Sequence, residues 1–103
     1  MVIVLIKTFL RDDADVPAYD ALDARMGELV QTIPGFLSAK AYVADDGDRV
    51  SIIRFDSEAA LLAWRNHPEH LEAQRQGREQ FFRAYEIEVC AVTRAYGYPR
   101  REG

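Results

Sequence analysis

Alternation of apolar and polar residues marks four strand segments along the chain. Residues 2–10 are mostly apolar on both faces, which is typical of a strand covered on both sides. Residues 36–44 and 49–55 flank the turn Asp45-Asp46-Gly47-Asp48 and predict a hairpin. The fourth alternating run, 85–96, predicts a strand long enough to outreach its neighbours.

Spacings of three and four residues predict helices in two regions. The first carries an apolar stripe across residues 16–33 and ends at Pro34-Gly35. The second begins after Ser57, a good N-cap, and breaks at Pro68, which disfavours helix at the residue before it and suits the first position of a new helix. We expect its second helix to run to about Phe82.

The order strand, helix, strand, strand, helix pair, strand predicts an α+β protein with the ferredoxin-like βαββαβ arrangement, an antiparallel sheet with its helices on one face. We expect a single domain over residues 1–97 and a C-terminal tail over 98–103. In a chain of 103 residues, one sheet layered with helices leaves a sheet face uncovered, so we expect a homodimer that covers it.

Composition and charge limit the classes of binding partner that we expect. Seventeen acidic and 13 basic residues give a net charge of -4, so nucleic acid and anionic membrane surfaces are not expected partners. The apolar N-terminal run lacks the features of a signal peptide and is too short to span a bilayer, and a cytoplasmic protein is expected. The single cysteine, Cys90, allows no internal disulfide and is expected as a small buried residue of the last strand.

The second helical region carries polar residues on an otherwise apolar face. Arg78 allows two interpretations: it snorkels or pairs with a carboxylate such as Glu86 or Glu88, or it faces a cavity between helix and sheet together with Gln74. In that cavity a guanidinium would hold an enolate or carboxylate oxygen of a ligand. The spacing predicts an inward stripe made of His67, Leu71, Gln74, Arg78 and Phe82.

Several well-defined machineries are absent from the sequence. It contains no GxxxxGK[ST] phosphate loop, GxGxxG fingerprint, GxSxG elbow or HExxH helix. His67 and His70 straddle Pro68 without an evident acidic or cysteine partner, so no metal site is predicted.

A series of short motifs extends over nearly the whole chain. It consists of Ile33-Pro34-Gly35-Phe36, the turn around Asp45-Asp46-Gly47-Asp48, Ala63-Trp64-Arg65-Asn66, His67-Pro68-Glu69-His70, Ala73-Gln74, Gly77-Arg78, Phe81-Phe82, Tyr85 and Arg94-Ala95-Tyr96-Gly97. This series resembles the antibiotic biosynthesis monooxygenase (ABM) domain family of the dimeric α+β barrel superfamily. The resemblance implies a dimeric barrel made of two ferredoxin-like units. That family contains cofactor-independent quinone-forming monooxygenases, haem-degrading proteins and members of unknown role.

The first hypothesis from this resemblance is a cofactor-independent monooxygenase acting on a small aromatic molecule, of the aromatic polyol, anthrone or hydroquinone type. A deprotonated phenolate or enolate reacts with O2 itself, so the protein needs a dry pocket, donors that stabilise the anion and a base, but no cofactor. The predicted substrate-binding residues are Trp64, Gln74, Phe82 and Tyr85, and the predicted catalytic residues are His67 as the base with Asn66 and Arg78 as donors.

Two alternatives stay open. A non-enzymatic binding or accessory module would use Trp64 as a packing anchor, His67 as the cap of the second helix and Arg78 as an ion-pair partner. A haem-binding or haem-degrading protein of the resembled branch would carry an Asn on the first strand and an axial His after the Trp. Here Gln74 stands where that His is expected, and the first strand has no Asn.

Overall fold

The fold is a four-stranded antiparallel sheet with its helices on one face. The structure is a computed structural model that describes residues 1–99, so residues 100–103 of the predicted tail 98–103 lie outside the described part. The elements in chain order are β1 (Val2–Leu10), α1 (Val16–Val30), β2 (Phe36–Val43), β3 (Arg49–Phe55), α2 (Glu58–Arg65), α3 (Pro68–Gln76), a π-helical turn (Gly77–Phe81) and β4 (Phe82–Ala91). The predicted ferredoxin-like α+β fold is confirmed.

The strands lie in the order β2-β3-β1-β4, so β1 is central and the hairpin β2-β3 flanks it. Val4 pairs with Ile53 on one side and with Val89 on the other. Val4 and Ile53 are buried under the helices in one apolar cluster with Val30 and Trp64. Paired residues of neighbouring strands share a face, so this register determines which side chains face the helices.

The opposite sheet face is open and carries apolar side chains beside charged ones such as Arg54 and Glu88. Ile3, Leu5 and Ile52 lie on it and are half-buried in the isolated chain. Cys90 pairs with Ile3 on the same face and is exposed, which corrects the expectation that it is buried. The alternation of β4 places Cys90 on the face away from the helices, and β4 is an edge strand.

Capping residues account for the positions where the first helices begin. The Asp15 carboxylate accepts a hydrogen bond from the Ala18 amide at 3.1 Å, and the Ser57 hydroxyl accepts one from the Ala60 amide at 3.2 Å. Gly47 has a φ of 93°, which favours glycine, and it lies in the tight turn that joins β2 to β3. The predicted hairpin and helix starts are confirmed.

The last helix ends earlier than predicted. α3 stops at Gln76, and the π-helical turn leads directly into β4 at Phe82. The Arg11 guanidinium donates to the carbonyl oxygens of Arg78 at 2.7 Å, Glu79 at 2.8 Å and Phe82 at 3.2 Å, which supplies partners for carbonyls that a helix end leaves unpaired.

The predicted strand 85–96 is also displaced. β4 begins at Phe82 and ends at Ala91, where it pairs with Val2, the first residue of β1. Beyond that pair the Val92 amide donates to the Met1 carbonyl oxygen at 3.0 Å, and residues 92–96 do not continue the strand. In residues 1–99, each helix falls short of the length and apolarity that crossing a bilayer requires.

Candidate functional site

A cavity of about 300 Å³ lies between the helices and the covered sheet face. Its volume is at the lower end of the range for small-molecule sites. The non-aromatic apolar residues of the wall are Ile6, Leu22, Met26, Gly27, Val30, Ala39, Ala41, Ile53, Ala73 and Ile87. The polar and aromatic residues around it are Thr8, Tyr19, Asp23, Lys40, Arg49, Ser51, Trp64, His70, Gln74, Phe82 and Tyr85.

Four of the seven residues predicted for the site border this cavity, and three do not. The four that border it are Trp64, Gln74, Phe82 and Tyr85. Asn66, His67 and Arg78 lie outside the lining, and Asn66 and Arg78 are exposed. This geometry corrects the prediction that Arg78 faces the cavity.

The inward stripe of α3 differs from the predicted one. The buried or cavity-facing positions of α3 and the π-helical turn are His70, Ala73, Gln74, Gly77 and Phe81, so Gln74 of the predicted stripe faces inward whereas Leu71 is 47% exposed. Both sets have spacings of three and four residues, so periodicity alone permits either one. The small residues Ala73 and Gly77 mark the true face, because they let the helix approach the layer beneath it.

His67 has a local structural role. It is the N-cap of α3, and its Nδ1 accepts a hydrogen bond from the Glu69 amide at 3.1 Å. That bond supplies a partner for one of the free amides at the start of the helix. Among residues 1–99, no group of three or more His, Cys, Asp and Glu side chains is placed to hold a metal ion.

His70 is the histidine that the structure brings to the cavity. Its ring stacks on the Trp64 indole with 3.8 Å between centroids and 19° between ring planes. Its Nδ1 lies 3.1 Å from the Trp64 carbonyl oxygen. A carbonyl can only accept, so we assign the proton to Nδ1, which leaves Nε2 as the acceptor.

Burial is the main cause that lowers the pKa of His70 below its usual value of 6.5. Loss of hydration disfavours the imidazolium, so the ring is neutral at neutral pH. A neutral imidazole with a free nitrogen is a competent proton acceptor. The sequence contained a signal for this residue, since His70 shares three-and-four spacing with Ala73, Gly77 and Phe81.

Aromatic rings close the end of the cavity nearest β4. Phe82 packs edge-on against Tyr19, with 5.6 Å between centroids, and against Tyr85, with 6.0 Å. Gly77 lies directly against the Phe82 ring: a Cβ there would stand 2.8 Å from Phe82 Cδ2. The Phe82 ring can therefore occupy its position only because Gly77 has no side chain.

Charge is concentrated around Tyr19, on the α1 side of the cavity. Burial, with the Asp23 carboxylate adding to it, raises the pKa of Tyr19 above its usual 10.0, and the Arg49 cation acts in the opposite direction. The phenol is therefore protonated at neutral pH and can donate a hydrogen bond. Asp23 and Arg49 are close enough to Tyr19 for their charges to act on it.

The chain belongs to the antibiotic biosynthesis monooxygenase family, whose family model matches residues 1–76. The uncharacterized protein YqjZ of Bacillus subtilis (strain 168) is 33% identical over 76 residues, which is 74% of this chain and 67% of the relative. The structure of Rv0793 from Mycobacterium tuberculosis is 28% identical, with a TM-score of 0.78, and the match covers 93% of this chain and 98% of that one.

A more distant solved structure has the same fold. SnoaB from Streptomyces nogalater, described as a cofactor-independent oxygenase, superposes with a TM-score of 0.75 at 16% identity, and the match covers 96% of this chain and 97% of that one. At that identity the likeness concerns the fold alone. The family itself is of the monooxygenase type.

Proposed function

We propose that this protein is a cofactor-independent monooxygenase that oxidises an aromatic substrate of the anthrone or hydroquinone type with O2 in the cavity between helices and sheet. Membership of the family supports the reaction class. The observation that carries the proposal is the neutral His70 imidazole stacked on Trp64 at the edge of the cavity between helices and sheet.

On the protein's side, the reaction requires only a proton acceptor and a pocket that excludes water. Removing a proton from a phenol or anthrone gives an electron-rich anion, and that anion transfers electrons to O2. For an anthrone, the methylene carbon gains one oxygen atom and becomes a carbonyl, while the second oxygen atom leaves as water. The substrate supplies all the electrons, so the reaction balances without a further reductant.

His70 is the proposed base in place of His67. Its Nε2 accepts the substrate proton, and the imidazolium that forms donates to the Trp64 carbonyl through Nδ1. His67 is engaged as the cap of α3 and lies outside the lining of the cavity. His70 borders the cavity in which the substrate would lie, whereas His67 does not border it.

The remaining lining residues have proposed roles in binding. Trp64, Phe82 and Tyr85 offer aromatic surface to a planar ring, and Gln74 offers an amide that can donate to a developing oxyanion. The aliphatic wall excludes water, which strengthens each of these polar contacts.

We also propose that two copies of the chain pair through their open sheet faces. Half-buried Ile3, Leu5 and Ile52 form an apolar surface there that water covers poorly in the isolated chain. Light scattering of the wild type and of Ile52→Lys tests this proposal. We expect a dimeric mass for the wild type and a monomeric mass for the variant, and a monomeric wild type would contradict the proposal.

A non-enzymatic binding module is the second candidate, and two observations favour it. The cap that His67 provides and the 5% exposure of Trp64 are the structural roles that a binding module predicts. Both candidates use the same cavity, so they differ only in whether bound substrate consumes O2.

The test is oxygen uptake by metal-free protein over a panel of anthrones, naphthols and hydroquinones, with Trp64→Phe alongside. The monooxygenase predicts uptake above the protein-free rate for at least one compound and a lower rate in the variant, because the stack on His70 is weakened. Compounds that bind without uptake would favour the binding module. Uptake that Trp64→Phe leaves unchanged would place the reaction elsewhere.

A further inference from the structure

One end of the cavity carries the guanidinium of Arg49. Arg49 is the first residue of β3, and it shares the helix-facing side of that strand with Ser51 and Ile53, which also line the cavity. Among residues 1–99, no carboxylate lies within 4.0 Å of the Arg49 guanidinium. Its donors are therefore available to a ligand.

Two hydroxyl groups accompany this guanidinium. Thr8 follows Lys7, which pairs with Val50, so Thr8 lies on β1 beside Arg49 and also lines the cavity. The protonated Tyr19 hydroxyl lies within the influence of the Arg49 charge. A guanidinium and two hydroxyls form a donor set that suits a carboxylate.

Two other charged residues border the cavity, and neither offers a cation to a ligand inside it. Asp23 also lines this end, and its charge opposes the binding of an anion. Lys40 borders the cavity, but it pairs with Ile52 on the opposite sheet face and its Nζ lies 5.6 Å from the Tyr42 ring centroid. The available cation for a ligand inside the cavity is therefore Arg49.

The charged end lies well away from the proposed base. Four residue steps along β3 separate Arg49 from Ile53, a distance of about 13 Å at about 3.3 Å per residue. Ile53 belongs to the buried cluster that contains Trp64. A ligand that reaches both ends therefore carries its two polar groups at opposite ends of a ring system.

We propose that the cavity takes an aromatic acid, with its carboxylate held by Arg49 and its hydroxyl-bearing ring placed at Trp64 and His70. The inference rests on the proposed function, since it names the substrate class of the same cavity. The net charge of the whole chain does not favour an anionic ligand, because a protein of net charge -4 repels anions at long range. Recognition of the acid is thus a local property of one arginine.

The test compares a hydroxynaphthoate, with hydroxyl and carboxylate at opposite ends of its rings, with the methyl ester of the same compound. Calorimetric titration gives the Kd of each for the wild type, Arg49→Gln, Asp23→Asn and the control Arg65→Gln. Arg65 is exposed on α2 and outside the lining of the cavity, so the control removes the same charge elsewhere.

We expect the wild type to bind the acid about tenfold more tightly than the ester, since hydrogen bonds to a charged group are the strong ones. Arg49→Gln should lose this preference while its Kd for the ester stays the same. Asp23→Asn should enlarge the preference, and Arg65→Gln should keep it.

Equal affinity of the wild type for acid and ester, or a preference that survives in Arg49→Gln, would overturn the assignment of the acid group. In either case, ester binding would leave the proposed aromatic cavity intact. If neither compound binds, the substrate class is overturned, whereas the proposed function is decided separately by the O2 uptake over the panel of anthrones, naphthols and hydroquinones.

Discussion

The imidazole of His70 stacks on the indole of Trp64, with 3.8 Å between the ring centroids and 19° between the ring planes. Trp64 holds His70 in two ways, because its indole fixes the ring plane and its carbonyl oxygen, 3.1 Å from Nδ1, fixes the tautomer. Since Trp64 is itself part of the buried core, the proposed proton acceptor is positioned by a residue of that core.

Burial of His70 predicts a pH dependence of stability. Its pKa is lowered in the folded state, so below about pH 6.5 the unfolded chain binds a proton that the folded chain does not. The free energy of unfolding should therefore fall as the pH drops from that value through the folded-state pKa. The slope contributed by one proton is at most about 1.4 kcal/mol per pH unit.

Urea unfolding of the wild type and His70→Asn between about pH 7 and pH 5 measures this contribution. Asparagine retains a donor for the Trp64 carbonyl but does not titrate. The variant should therefore show a flatter dependence on pH than the wild type. Parallel curves for the two proteins would contradict the account. Arg75 lowers the pKa of Glu72 to about 2, so this carboxylate affects the pH dependence of the free energy of unfolding only at more acidic pH.

Gly77 predicts a specific effect on the cavity. A methyl group at this position would collide with the Phe82 ring, which lines the cavity, so Gly77→Ala should push the ring aside. We expect a loss of roughly 1–3 kcal/mol in the free energy of unfolding and weaker ligand binding. Thermal unfolding and titration of an aromatic ligand measure the two effects.

Gly27→Ala is the matched control for the effect on stability alone, because Gly27 also borders the cavity. Gly27 lies inside α1, and a Cβ there would meet nothing within 4 Å. Alanine should raise stability by about 1 kcal/mol through helix propensity. If both variants gain stability, Gly77 does not constrain Phe82.

Arg11 connects the loop after β1 to the π-helical turn through hydrogen bonds to three carbonyl oxygens. Arg11→Gln should lower the free energy of unfolding by roughly 1–2 kcal/mol, since the carbonyls return only partly to water. Hydrogen exchange should become faster for the amides of the turn and the first residues of β4. Unchanged exchange there, with Arg65→Gln as reference, would show that the contact is not needed to order the turn.

Much of the fold could be predicted from local signals. Asp15, Ser57 and Pro68 mark helix starts through the chemistry of their own side chains, and Gly47 marks the hairpin turn. Each of these signals comes from a residue and its neighbours in the sequence, so it can be recognised from the sequence alone.

The site was harder to predict because it depends on which face of each element is covered. The stripe through His67 and the stripe through His70 have the same periodicity, and packing against the sheet decides between them. Cys90 was expected to be buried because alternation alone does not say which face of β4 the helices cover. The π-helical turn also shifts the residues that follow it around the helix axis, and a pattern with a period of 3.6 residues does not predict this shift.

The central claim is that His70 is the base of a cofactor-independent oxygenase. The most direct measurement is the rate of O2 uptake by metal-free wild type, His70→Asn and His67→Asn on the anthrone or hydroquinone that the wild type turns over fastest. We expect the rate to fall by about 100-fold or more in His70→Asn and to be retained in His67→Asn. A wild type that consumes no O2 on any such compound, or a His70→Asn variant as fast as the wild type, would contradict it.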